Sequence, residues 1–186
     1  MVGSYFSRRV SVMDFWDPLP FPACGDDDFK QTLYGVGLFI THWEAIEFEL
    51  SRLYSFFAGD PDGEAVKRYG KGRIFVERLD ILNKAAASYF VSNTNQQTEA
   101  AYDDLANEAS GFSVRRNEIA HGIVMDVARI TIFQQKMPLL DPSKKHIVLI
   151  PPYYAMRFHG SDGFPLYAYN STQLETLSSY LLRLEN

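Results

Sequence analysis

Cysteine is almost missing from this chain: Cys24 is the one cysteine in 186 residues. No internal disulfide can form, and no zinc-type Cys/His spacing occurs. These two lacks exclude a disulfide-stapled secreted scaffold and a zinc-built domain, and they predict a cytoplasmic protein with no metal and no cofactor. Long apolar runs are also missing. Nothing approaches the roughly 20 apolar residues that a bilayer requires, so no membrane partner is expected. Positive charge is not in excess either. Lys and Arg number 18 against 23 Asp and Glu, a net charge of −5. That balance argues against a surface coated for nonspecific nucleic-acid binding but leaves room for a local basic groove. There is no glycine–lysine phosphate loop, no serine or cysteine nucleophile with a base near it in sequence, no repeat and no low-complexity segment.

Aromatic residues are plentiful at 15%, and the length suits one domain that buries roughly two thirds of its unfolded surface. Residues 1–28 read as an extended arm. Arg8 and Arg9 do not introduce a signal peptide, because Asp14 and Asp17 interrupt the apolar stretch after them. Pro18, Pro20 and Pro22 forbid a regular helix, while Phe15, Trp16, Leu19 and Phe21 are apolar enough to pack along the body. Residues 29–186 form the single domain.

The three-and-four spacing of Leu33, Val36, Phe39, Ile40, Trp43, Ile46, Leu50, Leu53 and Phe57 predicts a long first helix, with Gly35 and Gly37 weakening its first turns. A turn cluster at residues 59–63 ends it, and a short helical piece runs on through Tyr69. A helix with Phe75, Leu79, Leu82, Ala86 and Tyr89 on one stripe runs out at residues 92–95. The next carries Tyr102, Leu105, Ala109, Phe112, Ile119 and Ile123. Strands are predicted over Val127–Phe133 and Lys145–Ile150, and a hairpin with arms Tyr154–Phe158 and Phe164–Tyr169, so that a β insertion occupies about 127–169. A last helix, capped by Ser171 or Thr172 with Thr172 and Glu175 at capping-box spacing, has Leu174, Leu177, Leu181 and Leu184 on its stripe. The expected class is therefore mainly α (α+β): a helical bundle with a small antiparallel sheet inserted before the C-terminal helix.

In the fourth helical register the member at position 116 is an arginine. A buried arginine must meet a carboxylate, carbonyls or a ligand anion, and a glutamate of the first helix is the plain candidate. The neighbourhood Arg115-Arg116-Asn117-Glu118-Ile119-Ala120-His121-Gly122 adds an amide and a histidine. Histidine titrates near neutrality and arginine is a permanent cation shaped for phosphate oxygens. Asn117 and His121, four apart, are neighbours on one flank. Arg116 and His121, five apart, are turned away from each other by about 140° on a straight helix. Gly122 leaves room beside His121 for a ligand or for close chain packing.

Arg116-Asn117-Glu118-Ile119-Ala120-His121 resembles the signature of the HEPN superfamily, an arginine followed after four to six residues by a histidine, frequently with a polar residue directly after the arginine. It stands late in a run of long helices, where that family's antiparallel helical bundle carries it. The likeness covers about residues 29–125 and the last helix. It implies a metal-independent endoribonuclease working as a homodimer on RNA, of the defence, toxin or stress-response kind, restrained by an antitoxin or other regulatory protein. His121 would then transfer protons, Arg116 would stabilise the phosphate, Asn117 would orient them, and Arg115 would be a second phosphate contact. Ile123 stands where members paired with a nucleotidyltransferase antitoxin carry a tyrosine, so regulation through that residue is not expected.

Two other readings stand beside this one. The first is a non-catalytic dimeric module of the same fold that binds a nucleotide, RNA or protein. The second makes Arg116 a structural ion-pair residue and His121 an ordinary histidine. Tyr153, Tyr154, Tyr167, Tyr169 and His159 could form a platform for single-stranded bases, although aromatics alternating in a hairpin more commonly pack. His42 reads as structural, and His146, after Lys144 and Lys145, as a solvated loop end.

Overall fold

The first helix, α1 (Phe29–Phe57), starts where Asp28 accepts the Lys30 backbone N–H, and it buries Phe39, Trp43, Ile46, Leu50 and Tyr54. The computed structural model describes residues 14–60 and 63–184. The first turns of α1 are helical from Phe29 onward despite Gly35 and Gly37. Thr32 and Gly35 take the buried positions there and Leu33 is exposed, because α6 (Ser171–Leu181) packs so closely that a Cβ on Gly35 would lie 2.9 Å from that of Leu174. Helices α2 (Glu64–Tyr69), α3 (Phe75–Ser92) and α4 (Gln96–His121) come next in the chain. α1 packs on α2, α3, α4 and α6 and touches both strands, and the main core is the set of faces it brings together. None of the described helices is long and apolar enough to cross a membrane.

The described residues are thus mainly helical, with six α-helices and one two-stranded antiparallel sheet ahead of the last helix. The sheet differs from the predicted one. β1 is Ile123–Asp126, and it pairs with β2 (Ile147–Ile150) from Ile123 opposite Ile150 to Asp126 opposite Ile147. The Asp126 carboxylate accepts the backbone N–H groups of Ala128 and His146, both at 3.0 Å, which turns the chain out of the strand. Thr131–Lys136, within or beside the predicted Val127–Phe133 strand, is the helix α5. Its Ile130, Phe133 and Met137 recur at helical spacing on a second, smaller core with Val127, Ile150 and Phe164. The predicted hairpin is a loop without arms. Met156–Phe158 is one turn of 3-10 helix, and single bridges join His159 to Pro165 and Leu149 to Tyr169. Pro151, Pro152 and Pro165 have no N–H to give a ladder.

The arm is described from Asp14 onward, its earlier part lying outside the described residues. It packs along the body as expected: Phe15 meets Tyr180, Phe21 meets Phe164, and Trp16 meets Phe112. Gly111 does not break α4 but gives Trp16 its seat; a Cβ there would lie 2.2 Å from the indole. The arm ends at Asp26, which exchanges backbone hydrogen bonds with Ile147 at 2.8 Å. Its carboxylate accepts from the Thr32 hydroxyl of α1 and from the Ser171 N–H and hydroxyl of α6. α6 begins earlier than predicted: Asn170 is its cap and Gln173 completes the capping box.

Tyr69 and Tyr102 carry a prediction. Burial, helped by Glu47 for the first and Asp103 for the second, pushes both hydroxyls from 10.0 up to about 12. The unfolded chain therefore releases these protons first, and stability fully present below pH 10.0 is lost as pH rises through about 12. The urea midpoint should fall steeply across that window, and less steeply in the Tyr69→Phe, Tyr102→Phe double variant. Equal slopes would contradict the burial of these hydroxyls.

Candidate functional site

α4 runs unbroken through Gly111 to His121 and stops because Gly122 is extended (φ −74°, ψ 165°). Gly122 serves close packing: a Cβ on it would meet Leu149 Cδ1 at 2.6 Å. The unbroken helix fixes where each side chain of the motif falls. Arg116 lies on the stripe of Phe112 and Ile119, as the spacing predicts, and its side chain is 30% exposed. Its Nη2 stands 3.7 Å from Glu44 Oε1 of α1, and its Nη1 donates to Asn117 Oδ1 at 3.2 Å. This is the pairing with a first-helix glutamate that the sequence made the plain candidate. At that distance and with Glu44 mostly exposed, it is worth at most about 1 kcal/mol.

The deeply buried charge is one residue earlier. Arg115, expected to make a second phosphate contact, has a side chain only 8% exposed and pairs with Glu118 at 3.1 Å. It lies about 100° around the helix from Arg116, on a flank covered by the segment that leads into α6. From that segment the Tyr169 hydroxyl donates to Glu118 Oε2 at 2.6 Å, and the Tyr167 hydroxyl donates to the Glu118 backbone carbonyl at 3.1 Å. The two rings stack with centroids 5.6 Å apart. Burial raises the Glu118 pKa, against the opposing pull of Tyr169 and Arg115, and burial followed by Glu118 carries the Tyr169 hydroxyl far above the usual tyrosine range. Arg115 Nε and Nη1 are buried with no hydrogen-bond partner, so Glu118 supplies most of what holds this cation inside. Nothing in the periodicity points to this cluster. The one available signal is the Arg-x-x-Glu spacing, which also marks ordinary surface pairs.

Asn117 and His121 are exposed on the remaining flank. The His121 side chain has no hydrogen bond or ion pair among the described residues, and nothing joins it to Arg116 within one chain. The end of α4 therefore has one flank locked by a buried ion pair and another offering an amide and an imidazole to solvent, with the partly exposed Arg116 on the stripe between them and the core. Elsewhere, His42 bonds Ser178 of α6 at 2.9 Å, a structural role. His146 is buried rather than solvated, with its Nε2 accepting the Asp141 N–H at 2.9 Å. Tyr167 and Tyr169 pack inside, whereas Tyr153 and Tyr154 stay in solvent.

Arg115→Met should cost about 3–5 kcal/mol, because it strands a buried carboxylate. Arg116→Ala should cost less than about 1 kcal/mol. Urea unfolding of the two variants checks this, and equal losses would contradict the assignment of the buried charge to Arg115. The raised Glu118 pKa has a sign as well: its folded form holds a proton to higher pH than the unfolded chain, so that part of the stability is full below the unfolded glutamate pKa and declines as pH rises through the folded one.

Comparison of the chain with family models, curated proteins and solved structures finds no match.

Proposed function

We propose that the chain is a metal-independent endoribonuclease of the HEPN type that acts in the cytoplasm as a homodimer, in defence or as a toxin under the control of an antitoxin. One observation carries the reading: Arg116, Asn117 and His121 all reach solvent at one end of α4, and none is committed to a strong internal partner. Arg116 is held loosely, by an amide and by an exposed glutamate at 3.7 Å, so an RNA phosphate can displace Glu44 at little cost.

The chemistry needs a proton removed from the 2′-hydroxyl as its oxygen attacks phosphorus, and a proton delivered to the 5′-oxygen as the P–O5′ bond breaks. The products are a cyclic phosphate and a free 5′-hydroxyl. A histidine side chain serves either transfer. The phosphate gains charge on the way, and a fixed guanidinium beside it lowers that cost. Because Arg116 and His121 point about 140° apart on one helix, the reading assigns the meeting of the two groups to a second copy of the chain. Asn117 orients the guanidinium through the hydrogen bond it already accepts.

A second reading, a dimeric module of this fold that binds without cutting, is favoured by the lack of any contact between Arg116 and His121 in one chain and by the pairing of Arg116 with Glu44. RNA cleavage in EDTA decides between them. The parent should cut, His121→Ala and Arg116→Ala should lose at least about a hundredfold, and Glu44→Gln, which frees Arg116, should cut at least as fast as the parent. No cleavage by the parent dimer on several RNAs would overturn the nuclease reading in favour of the binding module.

A further inference from the structure

Two residues past His121, Ile123 opens a cleft of about 360 Å³ between the β1–α5 segment and the loop after β2. Its floor is apolar, with Ile132 and Ile150 beside Ile123, and its rim carries Tyr153, Tyr154 and His159. We infer that this cleft is a nucleobase subsite, seating one unstacked base of a single-stranded RNA whose backbone crosses the end of α4. The inference rests on RNA being the ligand of the Arg116–His121 surface, and it adds where on the protein a base is held.

Four features of the cleft point to that occupant. An apolar cavity with a few convergent polar groups, at the small end of the usual ligand range, suits a single ring system. The two rim tyrosines are 83% and 85% exposed, which leaves their faces open for stacking, the contact by which proteins hold single-stranded bases of any sequence. Tyr153 is set by an edge contact with His159, centroids 6.1 Å apart.

The third feature is the imidazole. His159 Nδ1–H donates to the Ala155 carbonyl at 3.2 Å, which leaves Nε2 as an acceptor. A ligand with a ring N–H or an amino group can pair with that nitrogen, a group that a base has and a hydrocarbon or lipid chain lacks. The fourth is charge. Arg129 precedes the lining residue Ile130, and Arg157 precedes Phe158 and His159; both are exposed, and neither has a carboxylate partner among the described residues. These cations suit the phosphates that flank a bound base. The Cα atoms of His121 and Ile123 are at most about 7 Å apart along the chain, so a base in the cleft brings its own phosphate to the motif.

The test uses the whole protein with isotope-labelled isoleucine methyls and a short single-stranded RNA carrying 2′-O-methyl groups throughout, which cannot be cut by its own 2′-oxygen. The methyls of Ile123, Ile132 and Ile150 should shift saturably with the single strand and stay still with the matching duplex. The Tyr153→Ala, Tyr154→Ala double variant, altered only at exposed positions, should keep the parent's thermal unfolding midpoint and bind about tenfold more weakly. Unmoved methyls in a parent that cleaves RNA would overturn the subsite and leave the nuclease reading intact. Shifting methyls in a parent that cleaves nothing would support the subsite and overturn the nuclease reading. Toluene shifting the same methyls at equal affinity would overturn the base assignment.

Discussion

The interaction on which this molecule depends is the ion pair of Arg115 and Glu118, sealed by the Tyr169 hydroxyl. Two charges taken out of water are costly unless geometry and hydrogen bonds repay the desolvation, so the structure around them is tightly specified. Tyr169 shows how. Its side chain reaches Glu118 of α4, its backbone exchanges hydrogen bonds with Leu149 of β2 at 2.8 and 2.9 Å, and the next residue, Asn170, caps α6. Helix, sheet and final helix meet at one residue. Asp26 makes a matching joint at the other end of β2, tying the arm to Ile147 and to the first turns of α1 and α6.

The candidate site inherits its form from that joint. The last turns of α4 cannot rotate without breaking the hydrogen bonds that Tyr167 and Tyr169 make to Glu118, so Arg116, Asn117 and His121 are presented from a fixed helix, with Arg116 held only by an amide and an exposed glutamate. Strength and availability are divided between adjacent residues: Arg115 is committed to holding the helix, and Arg116, about 100° around it, rests on an exposed glutamate that an anion can replace. The cleft beyond Ile123 arises from the same geometry, since Gly122 turns the chain from helix into strand where Leu149 presses against it.

Most helical elements were legible in the sequence because their burial is periodic. The stripes of α1, α3 and α6 and the stripe of α4 from Tyr102 to Ile119 follow from apolar spacing, as does the half-buried setting of Arg116. Ile123, expected on that helical stripe, is instead the first residue of β1 because Gly122 is extended. What periodicity does not record is burial by a segment distant in the chain. Arg115 and Glu118 lie off the α4 stripe and are covered only because residues 167–169 return to them, and His146 is buried because the arm crosses it. Short segments failed for another reason. Isoleucines and a phenylalanine between 130 and 133 fit alternation and helical spacing alike, and the Asp126 carboxylate, accepting the backbone N–H groups of Ala128 and His146, ends the strand before them. Of the candidate site, the positions of Arg116, Asn117 and His121 on one helix were legible. That Arg115 belongs to the interior was not.

The most direct test of this account is amide hydrogen exchange in Tyr169→Phe. Removing one hydroxyl takes from Glu118 a hydrogen bond of the charge-assisted kind, worth roughly 1.5–3 kcal/mol. Exchange at residues 117–121 should then quicken by about tenfold or more while the amides of α1 keep the parent's rates. Unchanged exchange at the end of α4 would show that the helix is held by something other than the buried pair and its tyrosine.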